Sequence, residues 1–170
     1  IAVLDLDGRR VYNSPSYASI LGDPKGLEGT DSFQEVHPDD RRRIKAVFDE
    51  IVRTGVAQRT EYRLVSSGGS VRHVESQGSV IRDANGKIAT VVVVSRDITA
   101  RKQFEEELRL TQEKYHGIFD GVPVGLYQST LDGVYLAANN KMAAILGFES
   151  PEELIASTSD LHKEFYVKSG

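Results

Sequence analysis

The side chains that most often do chemistry are present in this chain, but their spacing does not serve catalysis. The four histidines, His37, His73, His116 and His162, are scattered, and no pair shows the His-Glu-x-x-His spacing of a helical metal site. There is no cysteine, which removes thiolate nucleophiles, zinc–thiolate clusters, disulfides and cysteinyl-flavin photochemistry together. Neither a phosphate-cradling glycine loop nor a nucleophile elbow occurs. His37 directly precedes Pro38-Asp39-Asp40 and reads as part of a helix start rather than as a ligand. The net charge of −4 disfavours a phosphate backbone as partner, since such a face needs an excess of Lys and Arg. The densest basic run, Arg41-Arg42-Arg43, follows two aspartates and reads as a solvated helix face. No apolar run approaches the roughly 20 residues that span a bilayer, and no signal peptide is evident. With the absence of cysteine, this fits a reducing cytoplasm. What remains open to the chain is non-covalent chemistry.

The elements that must position any binding residue follow from periodicity and turn signals. Ile1 to Leu6 reads as a strand, Asp7-Gly8 as a hairpin turn and Arg9 to Tyr12 as the returning strand. Ser14 to Leu21 reads as a short helix stopped by Gly22, with Gly26 and Gly29 marking loops. The best helix of this half opens at His37-Pro38-Asp39-Asp40. Proline suits the first helical position, and the two carboxylates meet the positive end of the helix dipole. Ile44, Val47, Phe48, Ile51 and Val52 then form one apolar stripe at helical spacing, and Gly55 ends it. Three strands follow. Arg59 to Val65 alternates, with Tyr62 and Leu64 assigned to opposite faces. Val71 to Arg82 is interrupted at Gly78, a point of close approach or a bulge. Ile88 to Ser95 is β-branched almost throughout and is expected to be central, covered on both faces. The Asp83 to Gly86 segment is a turn. Strands joined by hairpins, with helices between the second and third, predict an α+β domain: a five-stranded antiparallel sheet carrying helices on one face.

From Ala100 to Phe119 the pattern becomes that of a polar helix. Phe104, Leu108, Thr111, Tyr115 and Ile118 follow a four–three spacing, a heptad seam, and Glu105 stands four residues before Arg109, the favourable pair orientation. The seam fits either a dimeric contact or a surface helix lying on its own domain. Beyond it, Val124 to Ser129 and Val134 to Ala137 read as strands around an Asp132-Gly133 turn. Asn139 to Leu146 reads as a helix stopped by Gly147, and Ser150-Pro151-Glu152-Glu153 caps another. Sliding the chain by 125 residues lays Leu6-Asp7-Gly8 on Leu131-Asp132-Gly133. The same shift lays Ala18, Ile20, Leu21 and Gly22 on Ala143, Ile145, Leu146 and Gly147, for seven identities in seventeen positions. The repeat unit is a whole domain.

These residues resemble the PAS family of sensor domains found in bacterial signalling proteins. In the first copy the resemblance rests on Ser14-Pro15-Ser16 leading to Ile20-Leu21-Gly22, on His37-Pro38-Asp39-Asp40, on Glu61-Tyr62-Arg63-Leu64, and on Gly68-Gly69-Ser70-Val71-Arg72. It ends on Asp97-Ile98-Thr99 with Arg101-Lys102, which resembles the family's C-terminal PAC signature. In the second copy it rests on Pro123-Val124-Gly125, Asn139, Ile145-Leu146-Gly147-Phe148 and Pro151-Glu152-Glu153-Leu154. Gly68-Gly69 replaces the usual Asp-Gly turn, and Ser14 stands where many members have Asn. The second copy lacks the half that would complete its sheet.

The resemblance implies a PAS domain over 1–99, a linker (signalling) helix over 100–118 and the N-terminal half of a second PAS domain over 119–170. It also implies a pocket between the inner sheet face and the helices. Candidate lining residues are Tyr17, Phe33, Phe48, Val52, Tyr62, Val74, Ser76 and Val92, with a filled core as the alternative. Asp97, Ile98 and Thr99 are the expected relay, and Phe104, Leu108, Thr111, Tyr115 and Ile118 the candidate dimer seam. No cofactor is expected. Haem-binding members use a histidine on the long helix, where 41–54 has none, and light-sensing flavin members need a cysteine. A small-molecule ligand of unknown identity stays open. The function implied is a non-enzymatic cytoplasmic input module, homodimeric through the linker helix or sheet edges. It would pass changes to a downstream output domain in the same chain, a histidine kinase, without contact to nucleic acid or membrane. A diguanylate cyclase sensor region, or a ligand-free dimerisation module, are the alternatives.

Overall fold

A computed structural model describes residues 1–21, 27–66, 68–131 and 134–157. Gly22, Gly26 and the Asp132-Gly133 turn lie outside the described residues. The chain divides into two compact units, Ile1–Glu105 and Glu106–Gly170.

The first unit contains β1 (Ala2–Leu4), β2 (Arg10–Asn13), a short 3-10 turn (Pro15–Tyr17) running into α1 (Ala18–Leu21), α2 (Pro38–Thr54), β3 (Gln58–Val65), β4 (Val71–Arg82) and β5 (Ile88–Asp97). The strands form one antiparallel sheet in the order β2-β1-β5-β4-β3. This order follows from the chain path. The first hairpin occupies one edge, the segment through α2 crosses a single face, and β3 re-enters at the far edge. The later hairpins then bring β5 home beside β1, at the centre. The crossing segment also shields both edges. Arg10 N–H and C=O bond to Thr30 and Gly29, and Glu35 and His37 bond to Val65 and Arg63.

Because only one face is crossed, β5 is central but not covered on both sides. Val91 is buried, whereas Val94 on the other face is 51% exposed. A β-branched run records fitness for a pleated surface, not two-sided burial. Tyr62 and Leu64, two residues apart on β3, both face inward, which corrects their assignment to opposite faces.

Helix α2 starts as its residues dictate. Pro38 sits in the first turn with Asp39 and Asp40, and Gly55 closes the helix at φ 70°, its N–H bonded to Ile51 C=O. The stripe of Ile44, Phe48 and Ile51 is buried against the sheet. The basic run does more than meet solvent. Arg41 donates to Val36 C=O (2.9 Å) and Gln34 C=O (2.7 Å), and Arg43 to Thr60 Oγ1 (3.0 Å) and Glu61 C=O (2.9 Å).

Helix α3 (Thr99–Gly121) leaves the first unit at its last strand, and none of its residues is buried. Glu105 pairs with Arg101 rather than with Arg109, whose guanidinium instead bridges Glu106 and Glu113. A long side chain between two carboxylates on the same helix face takes whichever pair its rotamer reaches.

The second unit pairs β6 (Tyr127–Ser129) with β7 (Tyr135–Ala138) and packs α4 (Asn140–Leu146) and α5 (Pro151–Ser157) around Tyr135, Ala138, Ala143 and Leu154. Its organising residue is Asn139, fully buried at the start of α4. The Asn139 Oδ1 accepts from Met142 N–H and Leu126 N–H, both at 2.9 Å. Its Nδ2 donates to Phe119 C=O (2.8 Å) and Val124 C=O (2.9 Å). One amide thus caps a helix and joins three chain segments. Ser150 Oγ caps α5 through Glu153 N–H at 3.1 Å.

The first unit carries a specific acid sensitivity. Asp40 accepts from Arg63 N–H and Nε, both at 3.0 Å, tying the start of α2 to β3. The Arg63 side-chain hydrogen bond, outweighing burial, holds the Asp40 carboxyl below its ordinary value of 3.8. A depressed carboxyl stabilises the fold above its unfolded value and ceases to do so as pH falls through the folded one. Urea midpoints of the first unit should therefore fall as pH drops below about 4. Arg63→Gln should flatten that fall, and an unchanged slope would refute the assignment.

Candidate functional site

Where α2 crosses the sheet it leaves a cavity of about 60 Å³, measured as the space open to the centre of a water molecule. Sheet residues Leu4, Arg10, Thr60, Tyr62, Leu64, Ser76, Gly78, Val91 and Val93 form the floor. Tyr17, Phe33, Ile44, Val47, Phe48 and Ile51 form the roof. A Cβ added to Gly78 would lie 2.7 Å from Ile51 Cδ1, so Gly78 is a point of close approach, and the bulge of β4 falls instead at Ile81/Arg82. Phe33 and Phe48 close the roof edge-to-face, with ring centres 5.4 Å apart.

Five of the eight candidate lining residues, Tyr17, Phe33, Phe48, Tyr62 and Ser76, meet at this cavity. Val74 is fully buried in the same core and Val52 packs against that core, but neither lines the space. Val92 was misplaced. It faces the opposite side of the sheet, in a groove with Arg59, Glu75, Gln77, Val94 and Arg96. The period of a strand sends Val91 and Val93 inward and Val92 outward, and a run of four valines hides that phase. Arg10, Thr60 and Gly78 were not anticipated. Alternation from Leu4 across the first hairpin was the available signal for Arg10, but an arginine on an edge strand reads as solvated.

The polar lining has two main components, besides Ser32, Gln58 and Thr60. Ser76 Oγ donates to Tyr62 Oη (3.1 Å) and is 2.8 Å from Ser95 Oγ, which is 3.3 Å from Tyr17 Oη. Burial pushes the Tyr62 hydroxyl up to about 12, with Tyr17 beside it adding to the effect and the serine hydroxyls opposing it. The Tyr62 hydroxyl therefore remains protonated and offers a neutral hydrogen bond. The second component is Arg10, only 3% exposed, whose Nη1 donates to Glu35 at 2.7 Å. The Arg10 Nε meets no protein acceptor.

At the far end of β5, the candidate relay residues are brought together. Ile98 is buried, its N–H bonded to His73 C=O at 2.9 Å. Thr99 Oγ1 accepts from His73 N–H (2.9 Å), and Asp97 Oδ1 accepts from Thr99 N–H (2.8 Å). Burial alone would raise the Asp97 carboxyl. The Thr99 hydrogen bonds, Arg72 and His73 outweigh it and hold the group below its ordinary range. Glu61 on β3 grips the first turn of α3 through Arg101 (2.7 Å) and Lys102 (2.8 Å). The candidate seam residues Phe104, Leu108, Tyr115 and Ile118 are all exposed. Among the described residues, no helix is long and apolar enough to cross a membrane.

A five-stranded antiparallel sheet of this order, with a crossing helix over a small cavity, defines an α+β domain. Residues 10–95 match the family model described as the PAS fold, and residues 113–168 match that of the PAS domain. The chain belongs to the PAS family. It is 27% identical over 150 residues to the two-component sensor PprA of Pseudomonas aeruginosa, covering 88% of this chain and 16% of that protein. It thus spans about a sixth of that relative. It is also similar to a solved sensory box histidine kinase/response regulator from Burkholderia thailandensis, with 26% identity and a TM-score of 0.52, covering 66% of this chain and 86% of that one. The fold recurs in the N-terminal domain of a diguanylate cyclase with PAS/PAC sensor from Marinobacter aquaeolei, at 20% identity, a TM-score of 0.54, and coverage of 59% and 95%.

The close approach of α2 to β4 is tested by crowding it. Gly78→Val should displace Ile51 and cost about 1–3 kcal/mol in urea unfolding, the usual penalty of overpacking. A neutral or stabilising Gly78→Val would mean that α2 does not press on β4 as described.

Proposed function

We propose that this chain is the input region of a signalling protein, in which occupancy of the cavity is converted into movement of α3. The observation that carries this reading is one continuous path. Val91 and Val93 of β5 line the cavity, and the same strand passes through Asp97-Ile98-Thr99 into α3 without a break. In this reading 1–99 is the sensing domain, 100–118 the linker helix, and 119–170 the beginning of a second PAS domain. The names of PprA, a two-component sensor, and of the Burkholderia histidine kinase support a histidine kinase as output, and such an output would place this region in the cytoplasm. The Marinobacter cyclase supports a diguanylate cyclase as the alternative output. Small rotations of α3 in a homodimer would transmit the signal, which needs two packings separated by a few kcal/mol. The exposure of Phe104, Leu108, Tyr115 and Ile118 along one heptad seam favours the linker helix over the shielded sheet edges as the dimer contact.

Because the chain has no cysteine, single-cysteine probes are clean. Leu108→Cys, on the seam, should form an interchain disulfide, and Glu106→Cys, two positions away on the outer face, should not. Adding Gly78→Val should change the Leu108→Cys rate severalfold if the cavity and the helix are coupled. Equal rates at positions 106 and 108, or a Leu108→Cys rate indifferent to Gly78→Val, would contradict the proposal.

A further inference from the structure

We infer that the cavity takes a short aliphatic monocarboxylate held at Arg10, an assignment that rests on the ligand-sensing reading above. Arg10 is the single charged residue lining the cavity among the described residues, and no acidic side chain joins it there. A guanidinium has five N–H donors. Glu35 takes Nη1, which also approaches Thr30 Oγ1 at 3.4 Å, while the buried Nε is unmet by the protein. A buried charged donor without an acceptor is costly, and a guanidinium pairs more strongly with a carboxylate than with a neutral acceptor. The Glu35 side chain retains 17% exposure against 2% for Arg10, so water screens the competing anion more than it screens the cation.

The hydroxyls of Tyr17, Tyr62, Ser76 and Ser95 bond one another and bring no charge, so the preference rests on Arg10. Apart from Ser32, Gln58 and Thr60, the remaining wall is apolar, with Phe33, Phe48, Ile51 and Val91 available to an alkyl chain. One water needs about 10–15 Å³ of such space, so the cavity suits about four to six non-hydrogen atoms, the range from acetate to butyrate.

Calorimetric titration of the 170-residue protein with butyrate, butyramide and butan-1-ol tests the assignment. Butyrate should bind at least about tenfold tighter than butyramide, as expected of a charge-assisted bond. Arg10→Gln should remove that preference. Glu35→Gln keeps Arg10 and an acceptor for its Nη1 while removing the competing charge, and it should tighten butyrate severalfold. Should Arg10→Gln fail to fold by circular dichroism, the Glu35→Gln result decides. Binding of the three probes without preference for butyrate, or no gain in Glu35→Gln, overturns the carboxylate assignment and leaves a ligand-holding cavity. Binding of none of them overturns the assignment and removes support from the sensing reading as well.

Discussion

The junction between β5 and α3 is the constraint on which the rest of this structure turns. Ile98 is buried in the first unit while the residues on either side of it change from strand to helix. Its N–H and the hydroxyl of Thr99 both engage the backbone of His73 on β4, the strand that also carries Ser76 and Gly78 into the cavity. A side chain buried at an element boundary removes the freedom that a loop would retain, and the backbone bonds fix its register. The ion pairs of Glu61 with Arg101 and Lys102 lie at the surface and contribute little stability on their own. They set the direction in which the first turn of α3 leaves. The helix itself has no buried residue and contributes no core to the first unit.

The same asymmetry that exposes one face of the sheet makes the cavity. The crossing helix packs chiefly on β3 and β4, laying Ile44, Phe48 and Ile51 over a floor of alternating valines, hydroxyls and one glycine, while Tyr17, Ile20, Leu21 and Phe33 complete the cover. Large side chains on β4 at Ser76 and Gly78 would fill that space and leave an ordinary core. Small polar residues there, set against a buried arginine and tyrosines, exchange packing for hydrogen-bonding capacity.

Much of this was legible in the residues. Pro38, the paired aspartates and Gly55 set the limits of α2, because helix ends are decided locally by capping chemistry. The central place of β5 followed from its composition, and Asp97-Ile98-Thr99 from its position between strand and helix patterns. What escaped is what depends on tertiary phase. Val92 was turned to the wrong side because four consecutive valines carry no alternation. Coverage of β5 on both faces was inferred from apolarity that the strand uses on one. Arg10 escaped because alternation across the first hairpin is outweighed by the ordinary reading of an edge-strand arginine as solvated; its ionic partner, Glu35, lies 25 residues away. The Asn139 network was likewise beyond reach, since its partners Phe119, Val124 and Leu126 are joined only by the folded chain.

Native-state hydrogen exchange at the amides of Ile98 and Lys102, compared with those in the middle of β5, is the most direct measurement of the central claim. These two N–H groups bond to His73 C=O and Ile98 C=O, across and just beyond the junction. If strand and helix move as one mechanical element, both amides should open with the same free energy as Val91 and Val93, in a single cooperative unit. Exchange of Ile98 and Lys102 orders of magnitude faster than the strand, while β5 remains protected, would show a hinge at the junction and would contradict the account.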